Sequence, residues 1–323
     1  MIAVLCGGVG AARFLRALAG VIPAADAVGV VNTADDTVIH GLSISPDLDT
    51  IVYTLAAAID PDRGWGLRDE SWRAMEALGR YAVVRPEGSS AAPTWFNLGD
   101  QDLATHFYRT ARLAEGATLT QVTAEIAAAW GVQQALLPMT DQRVATVIEL
   151  LDDGSKISFQ EYFVQRRHSV PVAAVCFEGA AQAMLTPAAR TALSDADAVV
   201  IAPSNPIVSI GPIRALAGVN ELLAARRDSV VAISPIIGGA ALKGPADRML
   251  VELGHESSVV GVARLYAPVA SVLVIDPADV HLAAQVEAAG MRAVIVESVM
   301  STPEIGHELA RHTLAAVNAR PAS

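Results

Sequence analysis

The opening residues, MIAVLC followed by GGVGAARFLRALA, constrain the fold more than any other stretch of the chain. Met1 to Cys6 is an apolar run of strand length that meets a glycine cluster, Gly7 to Gly10. Beyond it, Phe14, Leu15 and Leu18 recur at helical spacing over Ala11 to Ala19, and Ala27 to Val31 is a second strand-like run. Strand, tight turn, helix and strand form the unit that builds a parallel sheet, so a doubly wound α/β fold is expected. The same rhythm returns from Val170 onward, where VAAVCF, AVVIAPSNP, VVAISPIIGG, SVLVID and AVIVES alternate with helix-like segments. Two of those helices are expected to start with proline in their first turn, at Thr186-Pro187 and Thr302-Pro303.

The stretch from about residue 60 to residue 167 differs. It carries Trp65, Trp72, Trp95 and Trp130, helical patterns over Gln101 to Leu113 and Thr118 to Trp130, and a hairpin signal around Asp153 and Gly154. Thr118 with Gln121 has the spacing of a capping box. We read this stretch as an inserted, mostly helical subdomain with a small antiparallel element, within a single α/β domain spanning residues 1–323. Just before it, Ser45 as N-cap, Pro46 and two first-turn acids predict a helix running to about Ile59.

Composition narrows the function. The chain is 52% hydrophobic and only 18% charged, which excludes a disordered chain and suits strands buried on both faces. With 23 Lys and Arg against 34 Asp and Glu, the net charge of −11 disfavours nucleic acid or an anionic membrane as partner. Cys6 and Cys176 both fall inside apolar strand-like runs, which indicates neither a disulfide framework nor a zinc site. No basic leader precedes the first strand and no apolar run approaches the ~20 residues of a membrane span, so a reducing cytoplasm is the expected compartment.

In an open α/β sheet ligands collect beyond the carboxyl ends of the strands. The loops there read CGGVG, VNTADD, APSNPIVSIGP and SPIIGGAALKGPADR. The first matches only two glycines, Gly8 and Gly10, of the dinucleotide fingerprint, and Asn32 stands where an acid would close the second strand. A P-loop fails for want of its lysine, and a bare NAD-dependent dehydrogenase fails with the fingerprint. What survives is general: glycines let backbone N–H groups approach a phosphate at a helix N-terminus, and Arg13 adds a charge. A tight turn without ligand is the alternative.

Asp35, Asp36, Asp47 and Asp49 lie within fifteen residues. First-turn acids such as Asp47 and Asp49 often only complement a helix dipole, but oxygen ligands beside a phosphate-type turn suit Mg²⁺. At i and i+2 on a helix these two point to different sides, so they should have different jobs. WFNLGDQDLATHFYR reads either as a pocket wall for a flat ligand or as a helix entry with Asp100 as N-cap and Trp95 in the core. His106 reads as a core or surface histidine before a catalyst. APSNPIVSIGPI, with Ser204 and Asn205, is too polar and constrained to be mere spacing. In PIIGGAALKGPADRM, Lys243 either meets phosphate or is solvated.

Together, GGVGAARFL, VVNTADD, ISPDLDTIVYTL, IDPDRGWG, WFNLGDQDLATH, LLPMTD, APSNPIVSIGPI and SPIIGG…KGPAD resemble, in order from residue 2 to about residue 317, the 2-phospho-L-lactate transferase family of coenzyme F-420 synthesis, including its phosphoenolpyruvate transferase members. The resemblance implies a Rossmann-like core, a homodimer and a requirement for Mg²⁺. It implies attack by the ribityl hydroxyl of the deazaflavin Fo on a guanosine diphosphate-linked donor, forming a phosphodiester and releasing GMP. Matched motif to motif, Asp35 and Asp47 fall where the family holds its metal, and Asp49 and Asn97 where it contacts Fo. Trp95 joins the acceptor side. Gly8, Gly10, Arg13, Asn32, Ser204, Asn205 and Lys243 are the expected donor contacts, and Asp49, with Asp35 and Asp47, the expected catalytic set.

Two departures bear on this. Gln101 stands where many relatives have an arginine in LGDRD, and GGVGAAR replaces GGTGTPK, making Arg13 the cation at the turn. The acyl group is left open among phosphoenolpyruvyl, phospholactyl and phosphoglyceryl. A non-catalytic nucleotide-sugar-binding regulator is the competing class, and ISPDLDT with WFNLGD, the acceptor half of the site, is the feature such a sensor would not need.

Overall fold

The computed structural model describes residues 1–87, 89, 91 and 94–318. Seven parallel strands form the central sheet: β1 (Ile2–Cys6), β2 (Ala27–Val31), β3 (Ala135–Pro138), β4 (Ala198–Ile201), β5 (Val230–Ile233), β6 (Val272–Ile275) and β7 (Arg292–Ile295). Their order is β7-β6-β5-β4-β1-β2-β3. The chain thus builds outward from β1 in one direction, returns, and builds outward from β4 in the other.

Burial follows the period of two that a strand imposes. Ala3, Leu5, Val199, Ile201, Val230, Ala232, Leu273 and Ile275 join one core, and Val4, Cys6, Val200, Val231, Ile233, Val272 and Val274 join the other. Both faces are therefore covered, and that is why these strands read as unbroken apolar runs. The helices used below are α1 (Gly8–Ala19), α2 (Pro46–Leu55), α3 (Arg73–Ala82), α4 (Asp102–Ala114) and α5 (Leu119–Ala129).

Local signals account for most helix starts. α1 begins at Gly8 rather than Ala11, because only Gly7, with φ −161°, stays outside the helix as its N-cap. α2 starts at Pro46 as expected but stops at Leu55 rather than near Ile59, where the chain turns through Ala57 at φ +54°. Thr118 and Gln121 form the reciprocal capping box at α5, with contacts of 3.2 and 2.9 Å. Helices Pro187–Asp195 and Pro303–Asn318 both begin at the expected prolines.

Two strands lie elsewhere than the sequence rhythm suggests. VAAVCF becomes Val172–Glu178, which pairs antiparallel with Ala145–Leu150 instead of joining the central sheet. Most of its residues are half-buried or exposed, as in a strand covered on one face only, and Cys176 is exposed. Ala145–Leu150 also pairs with Lys156–Ser158 through the hairpin at Asp153 and Gly154, where Gly154 takes φ +66°. Conversely β3, from within the 60–167 stretch, is the edge of the central sheet beside β2. Pro138 is tolerated there because an edge strand can do without one ladder donor.

Candidate active site

Between β1 and β4 the connections leave in opposite directions, and the loops beyond those two strands bound a crevice. The loop after β1 is Gly7 to Gly10 and the loop after β4 is Pro203 to Ser209. They touch backbone to backbone. A Cβ on Gly10 would overlap the Pro203 carbonyl oxygen, and one on Gly7 would lie 2.6 Å from the Ser209 Cβ. Gly8 takes φ +68°, a conformation that costs glycine nothing. Ser204 Oγ donates to the Gly7 carbonyl at 2.8 Å, and Asn205 Oδ1 accepts from the Ile207 and Val208 N–H groups at 2.9 and 3.3 Å. Both side chains therefore shape the loop pair. α1 carries no acid in its first turn, so its N-terminal N–H groups face the crevice without a built-in anion beyond Asp47, which accepts from Gly8. Half-buried Arg13, in the second turn, has no hydrogen bond or ion pair among the described residues.

Asn32 joins the glycine turn to the acids. It follows β2, and its N–H donates to the Cys6 carbonyl at 2.9 Å. Its Nδ2 donates to Asp35 Oδ2 at 3.1 Å, to Asp47 Oδ2 at 3.0 Å and to the Val208 carbonyl at 3.4 Å. One carboxamide thus ties loops from three places in the chain. Gln160 Nε2 adds a 3.0 Å bond to the Asp35 carbonyl. Asp36 turns the other way and accepts from Ser45 Oγ at 2.7 Å, so Ser45 binds this acid rather than capping the α2 backbone.

These carboxylates are short of positive charge. Burial, and then the charge of Asp47, holds the Asp35 carboxyl well above the usual carboxylate range. Burial does the same to Asp36 against the Ser45 hydroxyl and the Arg109 charge, and pushes Asp47 up to about 6, although Asn32 and Gly8 oppose it. Asp35 Oδ1 and Asp36 Oδ1 are buried without a well-aligned hydrogen-bond partner, although the Thr146 hydroxyl lies close enough to lower the Asp35 carboxyl. Unpartnered hard oxygens on paired acids fit a divalent cation, and of these residues Asp35 and Asp47 share the Asn32 donor beside the glycine turn.

Asp49 faces away from Asp47, as the helix spacing requires, and only 5% of it is exposed. Arg109 of α4 grips both of its oxygens, one at 3.1 Å and the other in a closer ion pair. The chain of contacts continues from Arg109 to His106 Nδ1 at 3.2 Å, from His106 Nε2 to Asp102 at 3.4 Å, and from the Tyr53 hydroxyl to Asp102 at 2.6 Å. Burial leaves the Asp49 carboxyl above its ordinary value even though Arg109 and His106 pull it down. Asp102, half-buried, is held below its ordinary value by His106 and Tyr53 against the effect of burial. Asp49, Asp102 and His106 offer ligand atoms within 4.8 Å of one another. A cation among them would meet the Arg109 guanidinium, so this cluster is compensated already.

The remaining expected residues divide. Trp95 packs beside Ile39, Ile44, Met75 and Leu98 in a small separate core and meets Phe96 edge-on. Asn97 is exposed, and its side chain has no hydrogen-bond partner among the described residues. Asp100 is not the cap of α4, whose N-cap is Gln101. It accepts from Ser71 Oγ and, at 3.1 Å, from the Ala74 N–H, and so caps the start of α3. Lys243 comes to the glycine turn: its Nζ lies 3.4 Å from the Arg63 carbonyl, and a Cβ on Gly64 would sit 2.6 Å from Nζ and 3.8 Å from Val9. Sequence reasoning missed Arg109 and Asp102, and counted Asp36 among the clustered acids without giving it a role of its own. For the first two a signal existed, since residues 102, 106 and 109 fall on one face of α4 and make a polar stripe on its buried side.

Comparison with known proteins agrees with this architecture. Residues 2–313 match the family model described as 2-phospho-L-lactate transferase CofD. The chain is 42% identical over 316 residues to a phosphoenolpyruvate transferase of Streptomyces griseus, covering 97% of each chain. It is 41% identical over 316 residues to another of that name from Mycolicibacterium smegmatis, covering 94% of each. Among solved structures, a UPF0052 family member from Bacillus halodurans has the same fold, with a TM-score of 0.60 at 14% identity over 97% of this chain and 98% of that one.

Proposed function

The chain belongs to the 2-phospho-L-lactate transferase family, and on that premise we propose that it joins a phosphoenolpyruvyl or 2-phospholactyl group from a guanosine diphosphate-linked donor to the ribityl hydroxyl of Fo. The hydroxyl oxygen forms the new P–O bond, the bond to GMP breaks, and the hydroxyl proton is lost. Relatives named phosphoenolpyruvate transferase favour the enolpyruvyl donor. The carrying observation is the meeting, at the β1/β4 crevice, of a glycine turn on a helix N-terminus with two acids that share one Asn32 donor.

Phosphoryl transfer asks the protein mainly for positioning and charge neutralisation. The α1 N-terminal amides and Lys243 would receive the donor diphosphate, with Arg13, unpaired among the described residues, in the next turn. Asp35 and Asp47 are the residues that would hold Mg²⁺, which when bound neutralises charge on the diphosphate oxygens. On the other face of α2, Asp49, paired with Arg109, would orient the acceptor hydroxyl or take its proton. Asn97 is assigned to the acceptor by family likeness, and its unpaired amide is consistent with that use. We place the protein in the cytoplasm as a homodimer, to be checked by light scattering.

The test is a transfer assay with purified protein, Fo, Mg²⁺ and each candidate guanosine diphosphate donor, with products resolved by mass. Formation of the phosphodiester together with GMP is expected. No transfer from any donor would overturn the reading.

A further inference from the structure

The IDPDRGWG stretch has no part in the reaction described so far, yet it is tightly built. Ile59 bridges to Leu67, and the Asp60 N–H donates to the Gly66 carbonyl at 3.1 Å. Asp60 Oδ1 accepts from the Asp62 and Arg63 N–H groups at 2.9 and 3.0 Å. Arg63 is held by the Leu67 carbonyl at 2.8 Å and by Asp60 and Glu70 at 3.1 Å each. Its guanidinium lies over the Trp65 and Trp72 rings, 5.2 and 5.0 Å from their centroids, with the two rings 6.0 Å apart. The Glu70 side chain beneath is fully buried. A Cβ on Gly99 would overlap its carboxylate, so the Phe96 to Asp100 stretch closes directly onto the base of this loop.

Such a loop immobilises an indole without burying it. Trp65 remains 44% exposed while the groups around it are tied down. A large aromatic face fixed in water is poorly explained by stability, since its burial would be favourable. It is what a flat ring needs, because a preorganised stacking partner loses little freedom on binding.

Position narrows the choice of ring. Gly64, next to Trp65, lies between Lys243 Nζ and Val9 of the glycine turn. The other end of the loop meets the Asn97 stretch through Glu70 and Gly99, and Gln101 Nε2 reaches the Asp69 carbonyl at 3.4 Å. The loop therefore spans from the phosphate turn to the segment assigned to the acceptor. Trp95, the other aromatic of that segment, is occupied in the small core.

We propose that Trp65, braced by Arg63 against Trp72, is the stacking platform for the tricyclic deazaflavin ring of the acceptor. This rests on the transferase reading above. Arg63 and Glu70 are positioning residues that act through the indole.

The experiment titrates full-length wild type, Trp65→Ala and Trp65→Phe with Fo, followed by its fluorescence, and separately with GMP. Trp65→Ala should weaken Fo binding by about 10- to 100-fold, the size of a lost ring stack, while Trp65→Phe stays within about threefold of wild type. GMP affinity should be unchanged in both variants, and so should their melting temperatures. Equal Fo affinity for Trp65→Ala and wild type would overturn the proposal, as would a loss confined to GMP, which would make the platform a guanine site. If the wild type transfers to Fo while Trp65→Ala binds it normally, only the platform fails. If the wild type neither binds Fo nor transfers to it, the transferase reading falls as well.

Discussion

Asp47 and Asp49 stand two residues apart on one helix and show opposite answers to the same electrostatic problem. Around Asp47, one buried and two half-buried acids are met by neutral donors, namely a carboxamide, serine and threonine hydroxyls and a backbone N–H. Among the described residues, the one positive charge that reaches them is that of Arg109 acting on Asp36. Around Asp49, an arginine and a histidine offset two acids. The first cluster is held in shape with little charge to offset its acids, whereas the second carries an arginine bound directly to its carboxylate. Burying carboxylates with so little positive charge raises their pKa values, and such a group is suited to taking an added cation. Two residues of α2 thus separate a site suited to a ligand ion from one that holds its carboxylate still in an ion pair.

The largest expected contrast lies in activity. Asp35→Asn should reduce transfer on the order of a thousandfold, if the lost metal interaction is worth several kcal/mol in the transition state. Its melting temperature without added metal should stay level or rise, because one of two repelling acids is gone. A variant that keeps full turnover at limiting Mg²⁺ would remove Asp35 from the metal site.

On the Asp49 side the main effect should be on stability. Arg109→Met leaves Asp49 buried and unpaired and should cost about 3–5 kcal/mol in urea unfolding. Asp49→Asn with Arg109→Met should recover much of that loss, and purely additive losses would mean that the pair is not coupled.

The smallest effect sharpens the difference in charge. The Asp47 carboxyl, ordinary when unfolded, rises to about 6 in the fold. Between the ordinary carboxylate value and about pH 6 the folded chain binds more protons than the unfolded one. Stability contributed by this group therefore falls as pH rises through that window, and the full cost is present above it. A divalent cation offsets that cost, so Mg²⁺ should raise the melting temperature by a few degrees at pH 7.5 and by less at pH 5. An equal shift at both values would place the ion elsewhere.

What was legible in the sequence was local. The β1–α1–β2 opening, the helix at Pro46, the capping box at Thr118 and the divergence of Asp47 from Asp49 each follow from spacing within a few residues. Pairing over long separations was not. Four apolar residues at Ala135–Pro138 do not disclose that they lie beside β2, and Val172–Glu178 does not disclose its antiparallel partner. The grip of Arg109 on Asp49 spans 60 residues of chain. Asp100 misled for a related reason: two helices begin near it in space, and it caps the one that begins earlier in the sequence. The role of Asn97 came from likeness alone, whereas Trp95 reads from its surroundings in two ways, as pocket wall or as core residue, and its contacts match the second.

The direct apposition of Gly7 and Gly10 with the Pro203 to Ser209 loop has a practical consequence for engineering. Saturation of the turn would mostly return misfolded crevices, since even an alanine at position 10 collides with a main-chain carbonyl rather than a side chain that can swing aside. Variation aimed at a new donor is better spent at the rim, on Arg13 and Lys243, where side-chain volume can change without parting the two loops.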